Sequence, residues 1–256
     1  MDGILLIDKP KDWTSHDVVA RVRRVLRQSD SQKSTVKSQK GLTTSDYRLA
    51  TRTPKVRVGH TGTLDPLASG LMILVLGSYT KRAAEFSKLD KTYECELTLG
   101  ATSPTGDAEG PITSTSDKHN LNRIQRSLNS VPKITEVLKT FIGEIKQIPP
   151  AYSAIKVGGQ RAYKLARAGK KPKLKPRQVT VYRLQITDYK YPKLKLVAEV
   201  SSGTYIRSLA EDIGQKLGTG AYLSALRRTK VGSFDIKNAK NLDEVEGDSL
   251  RLLAKI

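Results

Sequence analysis

The sequence predicts an α+β fold built on a central mixed, largely antiparallel sheet that is flanked by helices and loops. Segments with the two-residue repeat of strands and segments with the 3.6-residue repeat of helices both occur along the chain. They follow one another in a mixed order, not in the strict alternation that is typical of a doubly wound parallel sheet. At 256 residues the chain is long enough to bury a substantial core, and we expect residues 1–256 to form a single domain.

Two apolar runs near the start of the chain predict buried strands. The first runs from Gly3 to Asp8 and is closed by Lys9-Pro10, and the second runs from Gly70 to Gly77. Between them Ser15 can cap a helix. The apolar residues that recur at helical spacing behind this cap are Val18, Val19, Val22, Val25 and Leu26. Residues 28–55 are polar, rich in Ser, Thr and Lys and without periodicity, which predicts a long flexible surface loop.

The rest of the chain mixes both kinds of pattern. Apolar and polar residues alternate from Tyr93 to Leu99, which predicts a half-buried strand. Two helices are expected next, one around Leu121, Ile124 and Leu128 and one from Ile134 to Ile142. Further strands are predicted for Val179–Ile186 and Leu194–Val200. A last helix is predicted from about Tyr205, with Gly218 as its stop.

The charge of the chain points to a polyanionic partner. Forty-five Lys and Arg residues against 25 Asp and Glu give a net charge of +20, which favours nucleic acid or an anionic membrane. No acidic residue lies between Glu144 and Asp188, and the basic residues there are interleaved with tyrosines. We interpret residues 146–178 as a mobile basic insertion that contacts RNA phosphates; the alternative is a solvated basic loop. Candidate phosphate contacts are Lys156, Arg161, Lys164, Arg167, Lys170 and Lys171.

Other features disfavour membrane, disulfide and metal chemistry. The longest apolar run, Leu71 to Leu76, is too short to span a membrane, and Met1 leads into a strand without a signal or transit segment. Cys95 is the only cysteine and the three histidines are scattered, which makes a disulfide framework or a zinc site improbable. We therefore expect a cytoplasmic, metal-free protein that acts as a monomer.

One carboxylate stands alone in a glycine-rich stretch. The sequence G-H-T-G-T-L-D-P-L-A-S-G, from Gly59 to Gly70, places Asp65 among three glycines with no second acid nearby. Asp before Pro favours a turn, so Asp65 can be a plain turn residue. The other interpretation is a nucleophile that works without a paired carboxylate or a metal.

Five motifs in order resemble the TruB family, the tRNA pseudouridine synthases that act on the T-loop uridine at tRNA position 55. The motifs are G-I-L-L-I-D-K-P from Gly3, the Asp65 stretch, K-T-Y-E-C-E-L-T-L-G-A-T-S-P-T-G-D-A-E-G from Lys91, I-P-P-A-Y-S-A-I-K-V-G-G-Q-R-A-Y-K-L-A-R-A-G from Ile148 and S-S-G-T-Y-I-R-S-L-A-E-D-I-G from Ser201. The resemblance covers about residues 3–235, apart from the segment 28–55. Five motifs of this length in the same order are highly specific to the family, whereas any one of the short motifs alone would not be.

The resemblance implies a reaction that needs one carboxylate and no cofactor or metal. It identifies Asp65 as the nucleophile, which attacks either C6 of the base or C1′ of the sugar. Arg207 would pair with Asp65 and keep it ionised, because an enclosed pocket otherwise raises the pKa of a carboxyl. Asp107 would orient Arg207. Tyr93 would stack on the target base and is a candidate proton acceptor.

The resemblance also implies residues that bind the flipped-out nucleotide. His60 would fill the space that the base leaves, and Tyr205 and Leu226 would line the pocket around the ring. From local sequence alone, a lone histidine such as His60 is more often structural than functional, and Asp107 is typical of a turn residue. Tyr93 and Leu226 are typical of core residues. Arg207 lies in the first turn of a predicted helix, where the helix dipole disfavours a cation, which indicates a buried partner.

Two departures and two alternatives accompany this interpretation. Segment 28–55 is longer than the usual link in the family, and the chain ends at Ile256, where family members commonly continue into a PUA-type RNA-binding domain; we therefore expect no PUA domain. The alternatives are an RNA-guided relative that modifies ribosomal RNA with partner proteins, and a non-catalytic RNA-binding or RNA-folding module. The long basic insertion favours a stand-alone enzyme over the first, and intact Asp65, Tyr93 and Arg207 argue against the second.

Overall fold

The computed structural model describes residues 2–37, 57–115 and 131–245, with the side chains of 29–37 excepted. The chain divides into two compact units, Met1–Ser87 with Ser233–Ile256 and Lys88–Gly232. Below they are called the N-terminal unit and the central unit. Each unit has its own strands and helices.

The strands, in chain order, are β1 (Gly3–Lys9), β2 (Val58–His60), β3 (Ser69–Leu76), β4 (Lys91–Leu99), β5 (Ala101–Thr102), β6 (Thr113–Ser114), β7 (Gly143–Gln147), β8 (Lys156–Val157), β9 (Gln160–Arg161), β10 (Arg177–Lys190), β11 (Lys193–Val200), β12 (Ala221–Val231), β13 (Phe234–Asp235) and β14 (Lys240–Asn241). The helices are α1 (Ser15–Lys37), α2 (Ala83–Ser87), α3 (Val131–Lys139), α4 (Ala162–Arg167) and α5 (Ile206–Lys216). Short 3₁₀ helices lie at Gly77–Arg82, Ile236–Asn238 and Leu242–Glu244.

The N-terminal unit contains a mixed sheet in the order β14-β1-β3-β2. β1 is antiparallel to β3 along its whole length and parallel to β14, and β2 is antiparallel to β3. Consecutive residues of β1 and β3 are buried, so both faces of these strands are covered, as their continuous apolar runs predict. α1 buries its predicted apolar face, and the Arg23 guanidinium donates to the Val58 carbonyl of β2 at 2.5 Å. Each fully buried Val or Leu side chain here contributes about 1.5–3 kcal/mol.

The central unit contains an antiparallel sheet in the order β12-β4-β11-β10-β7. Alternate residues of β4 and β11 point to the covered face of this sheet and are buried there, as the two-residue repeat predicts. α5 packs on β12 through an apolar side that includes Leu209 and Ile213. At Gly214 a Cβ atom would lie 2.2 Å from the Ala221 backbone nitrogen, so only glycine permits this close approach of helix and strand.

The predicted α+β class with a mixed, largely antiparallel sheet is confirmed, and all five predicted strands are present. The loop prediction for residues 28–55 is wrong at its start, because α1 continues to Lys37. No Gly or Pro interrupts residues 28–37, so nothing ends the helix there. Residues 38–55 and the helix expected around Leu121, Ile124 and Leu128 lie outside the described residues.

The later helices match the prediction more closely. α3 ends at Lys139, three residues before the predicted end at Ile142, and α5 begins directly after Tyr205. Within residues 2–37, 57–115 and 131–245, no helix combines the length and apolar character that crossing a membrane requires.

Candidate active site

Asp65 begins a β-turn in the loop between β2 and β3. Its carbonyl accepts a hydrogen bond from the Ala68 backbone at 3.1 Å, with Pro66 in the second position of the turn. The residue is half-buried. Asp65 is thus the turn residue that the local sequence indicates, and the same turn leaves its side chain partly accessible, as a nucleophile requires.

Ser15, the first residue of α1, fixes the residue before Asp65. Its buried hydroxyl accepts from the Leu64 backbone N–H at 2.9 Å and donates to the Leu64 carbonyl at 2.9 Å. Both backbone groups of Leu64 are therefore satisfied by one side chain from a helix that is distant in sequence. The helix cap that the sequence predicts for Ser15 is replaced by this longer-range role.

Lys9 fixes the residue after Asp65. Its side chain is fully buried, at 0% exposure, and its ammonium donates to the carbonyls of Pro10 at 2.9 Å, Trp13 at 2.6 Å and Pro66 at 3.4 Å. A second bond to the Pro66 carbonyl comes from the Asp12 backbone at 2.8 Å. Three carbonyl acceptors offset the desolvation of the buried charge, and they hold the Asp65 turn against residues 9–15.

His60 ends β2 and is half-buried. Its ring lies edge-on to the ring of His16 on α1, with centroids 5.8 Å apart. The next residue, Thr61, donates from its backbone to the Ile73 carbonyl at 3.1 Å. His60 and Asp65 therefore lie in one loop of the N-terminal unit, supported on one side by β3 and on the other by the start of α1.

In the central unit, Arg207 is a buried arginine with three described acceptors. Only 6% of it is exposed, and it is the second residue of α5. One terminal nitrogen donates to the Thr105 carbonyl at 2.9 Å and to Asp107 Oδ2 at 3.3 Å, and the other donates to the Tyr152 carbonyl at 2.8 Å. The ion pair with Asp107 offsets the unfavourable helix dipole at this end of α5.

Asp107 is the more deeply buried partner, at 2% exposure. Its Oδ1 atom accepts from the Thr105 hydroxyl at 2.6 Å and from the Glu109 backbone at 3.1 Å. Both carboxylate oxygens therefore have donors, and Asp107 is held rigidly beside Arg207. The orienting role that the resemblance implies for Asp107 stays a prediction, and this geometry is compatible with it.

A second acid, Glu211, lies one turn along α5 from Arg207. A Cβ atom on Gly106 would lie 2.9 Å from Glu211 Oε1 and 3.2 Å from Arg207 Cβ, and Gly106 has φ +75°, so the loop carrying Asp107 requires glycine there. Burial, and to a lesser extent the neighbouring charge of Asp212, raise the pKa of Glu211 to about 7, although Arg207 opposes the shift. No motif or periodicity in the sequence points to Glu211.

Tyr93 and Leu226 share the covered face of the central sheet. Tyr93 on β4 lies opposite Arg228 of β12, and Leu226 lies opposite Cys95. Directly opposite residues of antiparallel strands point to the same face. Tyr93 is buried, Leu226 half-buried and Tyr205, just before α5, half-buried. Burial raises the pKa of Cys95 to about 12, so this thiol is neutral and is not a nucleophile.

Gln147 is a site residue that the sequence analysis missed. It is 2% exposed at the end of β7, where its side-chain nitrogen donates to the Tyr205 carbonyl at 3.1 Å and its oxygen accepts from the Tyr205 backbone at 2.8 Å. Next to it, the Ser208 hydroxyl donates to the Ile148 carbonyl at 2.9 Å. With the Arg207–Tyr152 bond, these contacts join the base of the basic insertion to the first turn of α5. The residue directly precedes the I-P-P-A-Y-S motif, which is the only signal for it in the sequence.

The basic insertion forms a small hairpin and a short helix. β8 and β9 pair around Gly158-Gly159, and α4 follows. The Arg167 guanidinium lies 5.7 Å from the centre of the Tyr163 ring. The six candidate phosphate contacts, all of which are exposed, are Lys156, Arg161, Lys164, Arg167, Lys170 and Lys171. Their exposure leaves them accessible to a polyanion.

The structure thus distributes the seven predicted pocket residues over the two units. Asp65 and His60 belong to the N-terminal unit, and Tyr93, Asp107, Tyr205, Arg207 and Leu226 to the central unit. The described contacts bring Arg207 and Asp107 together. The ion pair of Arg207 with Asp65 stays a prediction. In the described part of the chain, no group of three or more His, Cys, Asp or Glu side chains is arranged to hold a metal ion.

Comparison with known proteins identifies relatives over almost the whole chain. Residues 48–206 match the model of the N-terminal domain of TruB family pseudouridylate synthases. Residues 207–252 match the model of the tRNA pseudouridylate synthase B C-terminal domain, which is not a PUA model. The tRNA pseudouridine synthase B of Dechloromonas aromatica is 42% identical over 96% of this chain and 70% of its own length. That of Aquifex aeolicus is 41% identical over 95% of this chain and 73% of its own length.

Solved structures show the same architecture. A chain of a Cbf5–Nop10–Gar1 complex superposes with a TM-score of 0.62 at 28% identity, covering 94% of this chain and 53% of its own. A chain of an H/ACA RNP bound to a substrate RNA containing 2′-deoxyuridine gives a TM-score of 0.60 at 25% identity and 94% coverage of this chain. The protein spans about half the length of these two solved chains.

Proposed function

The chain belongs to the TruB family of pseudouridylate synthases, and from this premise we propose that it isomerises a uridine of tRNA to pseudouridine. The uridine is the one in the T-loop, at tRNA position 55. The reaction breaks the bond between C1′ and N1, turns the base and joins C1′ to C5; the C5 proton leaves to solvent and N1 takes up a proton. Substrate and product have the same atoms, so neither an oxidant nor an energy source is needed.

The observation that carries the proposal is the rigidly held turn of Asp65. Ser15 fixes the residue before it, and Lys9 and the Asp12 backbone fix the residue after it. A nucleophile held in one place reacts with a bound base or sugar without losing further conformational freedom. Asp65 is partly accessible, and it precedes a proline that sets the turn. These features are what a carboxylate nucleophile acting alone requires.

Arg207 supplies the charge that keeps Asp65 ionised. A guanidinium has five N–H donors, and the bonds to Thr105, Asp107 and Tyr152 use three of them. These bonds hold the guanidinium in a fixed position, and we assign Asp65 as a further carboxylate that it serves. In a pocket closed by a nucleobase this pairing opposes the rise in carboxyl pKa that desolvation causes.

The RNA is recognised by a flipped-out base and by its backbone. Tyr93 stacks on the base and Tyr205 and Leu226 line the ring, while His60 fills the place of the extruded nucleotide. The exposed basic residues of the insertion contact phosphates of the T-arm. Gln147 transmits the position of the insertion to Tyr205 and Arg207. A tRNA-modifying activity fits the cytoplasmic location expected from the sequence.

A second candidate function is guided modification of another RNA within a complex. It is favoured by the likeness to a chain of an H/ACA RNP. The identity to a tRNA pseudouridine synthase B, 42% against 28% for the chain of the Cbf5–Nop10–Gar1 complex, favours the first proposal.

The direct test is release of tritium from C5-labelled uridine in an unmodified tRNA transcript. We expect release by the purified protein alone, without guide RNA, nucleotide or metal, and unchanged in the presence of a chelator. A transcript with cytidine at the T-loop position should release no tritium above background, and a minimal T-arm hairpin should still be modified. A strict requirement for guide RNA or partner proteins would contradict the proposal.

Gln147 provides a prediction about the coupling of the insertion to α5. Gln147→Ala removes the two hydrogen bonds that this side chain makes to the Tyr205 backbone, which costs about 1–3 kcal/mol. The Tyr205 carbonyl keeps its bond from the Leu209 backbone at 3.0 Å. We expect a lower melting temperature and a reduced single-turnover rate at saturating tRNA, since Tyr205 and Arg207 lose their alignment. Gln147→Glu keeps the acceptor for the Tyr205 N–H and should fall between Ala and wild type.

Gln178→Ala is the matched control for Gln147. Gln178 lies on the neighbouring strand β10, and its exposed amide pairs with Glu144 at 2.6 Å. Its removal should leave the single-turnover rate unchanged and alter the free energy of unfolding by no more than about 0.5 kcal/mol. If Gln147→Ala and Gln178→Ala behave alike, Gln147 has no positioning role.

A further inference from the structure

An open groove of about 350 Å³ runs along the first turns of α1 in the N-terminal unit. It is lined by Asp12, Trp13, Asp17, Ala20, Arg21 and Arg24. None of these residues belongs to the proposed uridine pocket or to the basic insertion. The groove combines an aromatic surface with two cations, which is a combination typical of nucleotide binding.

Trp13 provides the aromatic wall. Its side chain remains 38% exposed, although its carbonyl is fixed by the buried Lys9 ammonium at 2.6 Å. The backbone at Trp13 is therefore rigid while the indole is accessible. A rigid, exposed indole is a platform on which any base can stack, at about 1–3 kcal/mol per base.

Arg21 and Arg24 provide the cationic wall. They are three residues apart on α1, so their side chains lie on one face of the helix. Among the described side chains neither guanidinium is engaged in an ion pair or a hydrogen bond. In a chain with net charge +20, two such arginines beside an indole favour a phosphate over any other occupant.

The groove also contains two acids, Asp12 and Asp17, which lie nearer the start of α1 than the two arginines. Asp17 belongs to the first turn of α1 and accepts from the Thr14 backbone at 2.9 Å and from the Thr14 hydroxyl at 2.6 Å, so its charge is engaged locally. Asp12 precedes the helix. Arg21 and Arg24 lie about 6 and 10 Å further along the axis than Asp17, at 1.5 Å per residue. Arg21 lies one turn from Asp17 on the same helix face, but the described contacts include no ion pair between them, and Arg24 lies almost a further turn away.

The groove adjoins the residue that we propose to touch the flipped nucleotide. His16 lies between Trp13 and Asp17 in sequence, and its ring is 5.8 Å from the ring of His60. RNA held at His60 therefore lies next to the start of α1, within reach of the groove.

We propose that Trp13, Arg21 and Arg24 form a second RNA-binding site that takes one nucleotide of the substrate outside the uridine pocket. The base stacks on the Trp13 indole, and the adjoining phosphate pairs with the two guanidinium groups. This inference rests on the proposed function, because that function makes RNA the substrate. It assigns to the N-terminal unit a share of the RNA affinity beyond that of the basic insertion.

The test compares RNA affinity and turnover in three groove variants. Binding is measured over a range of salt concentrations with a tRNA transcript that carries cytidine at the target position, so that no turnover occurs. Trp13→Ala should raise Kd about 5- to 100-fold, and Trp13→Phe should keep most of the affinity. The double variant Arg21→Gln with Arg24→Gln should reduce the salt slope by about 1.4 to 1.8. Trp13→Ala and the arginine double variant should raise KM on normal tRNA and leave kcat unchanged, and Trp13→Phe should stay close to wild type in both.

The matched control removes two exposed charges of the same unit by Lys81→Gln with Lys237→Gln. If the groove variants show the same Kd and salt slope as this control, the groove does not bind RNA. The result is separate from the proposed function: unchanged Kd in protein that releases tritium overturns the groove alone. Wild-type protein that binds tRNA but releases no tritium from any transcript overturns the function, while the comparison of Kd values still decides the groove. Melting temperatures show that each variant is folded, and Trp13→Phe provides a test with minimal change in packing.

Discussion

Asp65→Asn is expected to abolish isomerisation while tRNA binding and folding persist. The amide is nearly the same size as the carboxylate, and the turn is held through backbone groups of Leu64 and Pro66, which the substitution leaves in place. The amide is a very poor nucleophile, so the single-turnover rate of tritium release should fall by more than about 10⁴-fold. The Kd for tRNA should change by less than about tenfold, because most affinity comes from phosphate contacts.

The control for this substitution is Asp243→Asn, which removes an exposed carboxylate from the same unit. It should match wild type in rate, affinity and melting temperature. Tritium release by Asp65→Asn at more than about a hundredth of the wild-type rate would remove Asp65 from the role of nucleophile. A loss of tRNA binding in parallel with the loss of rate would instead indicate that Asp65 acts in binding.

Strands and helices with a regular sequence repeat could be predicted, because their buried positions recur with the period of the element. β1 and β3 are buried on both faces and read as continuous apolar runs, while β4 and β11 alternate. β12 was missed, since its pairing with β4 shifts register after Leu223 and again after Arg228. Each bulge reverses the side-chain alternation, so no two-residue repeat survives in the sequence.

The surroundings of the candidate site could be predicted only in part. The resemblance places Asp107 and Arg207 in one site, and Arg207 Nη1 lies 3.3 Å from Asp107 Oδ2. The role of Lys9 could not be inferred, because a lysine is ordinarily exposed and its contact with Pro66 joins residues that are far apart in sequence. Ser15 was assigned to a helix cap for the same reason, and its bonds go to Leu64. Such long-range bonds leave no local pattern.

Arg207→Met is expected to reduce both stability and turnover. Removal of the guanidinium leaves Asp107 buried without its cation, which costs about 3–5 kcal/mol. It also removes the hydrogen bonds that Arg207 donates to the Thr105 and Tyr152 carbonyls. Asp65 would also lose the proposed partner that keeps it ionised. Urea unfolding measures the first effect and single-turnover tritium release measures the second.

The double variant Arg207→Met with Asp107→Asn separates the two effects. Neutralising Asp107 removes the uncompensated charge, so part of the lost stability should return. Turnover should not return, because the proposed partner of Asp65 is still absent. The matched control is Arg183→Met, which breaks an exposed pair with Glu199 at 3.2 Å and should cost no more than about 1 kcal/mol. If turnover recovers together with stability in the double variant, Arg207 acts by supporting the fold and not by holding the charge of Asp65.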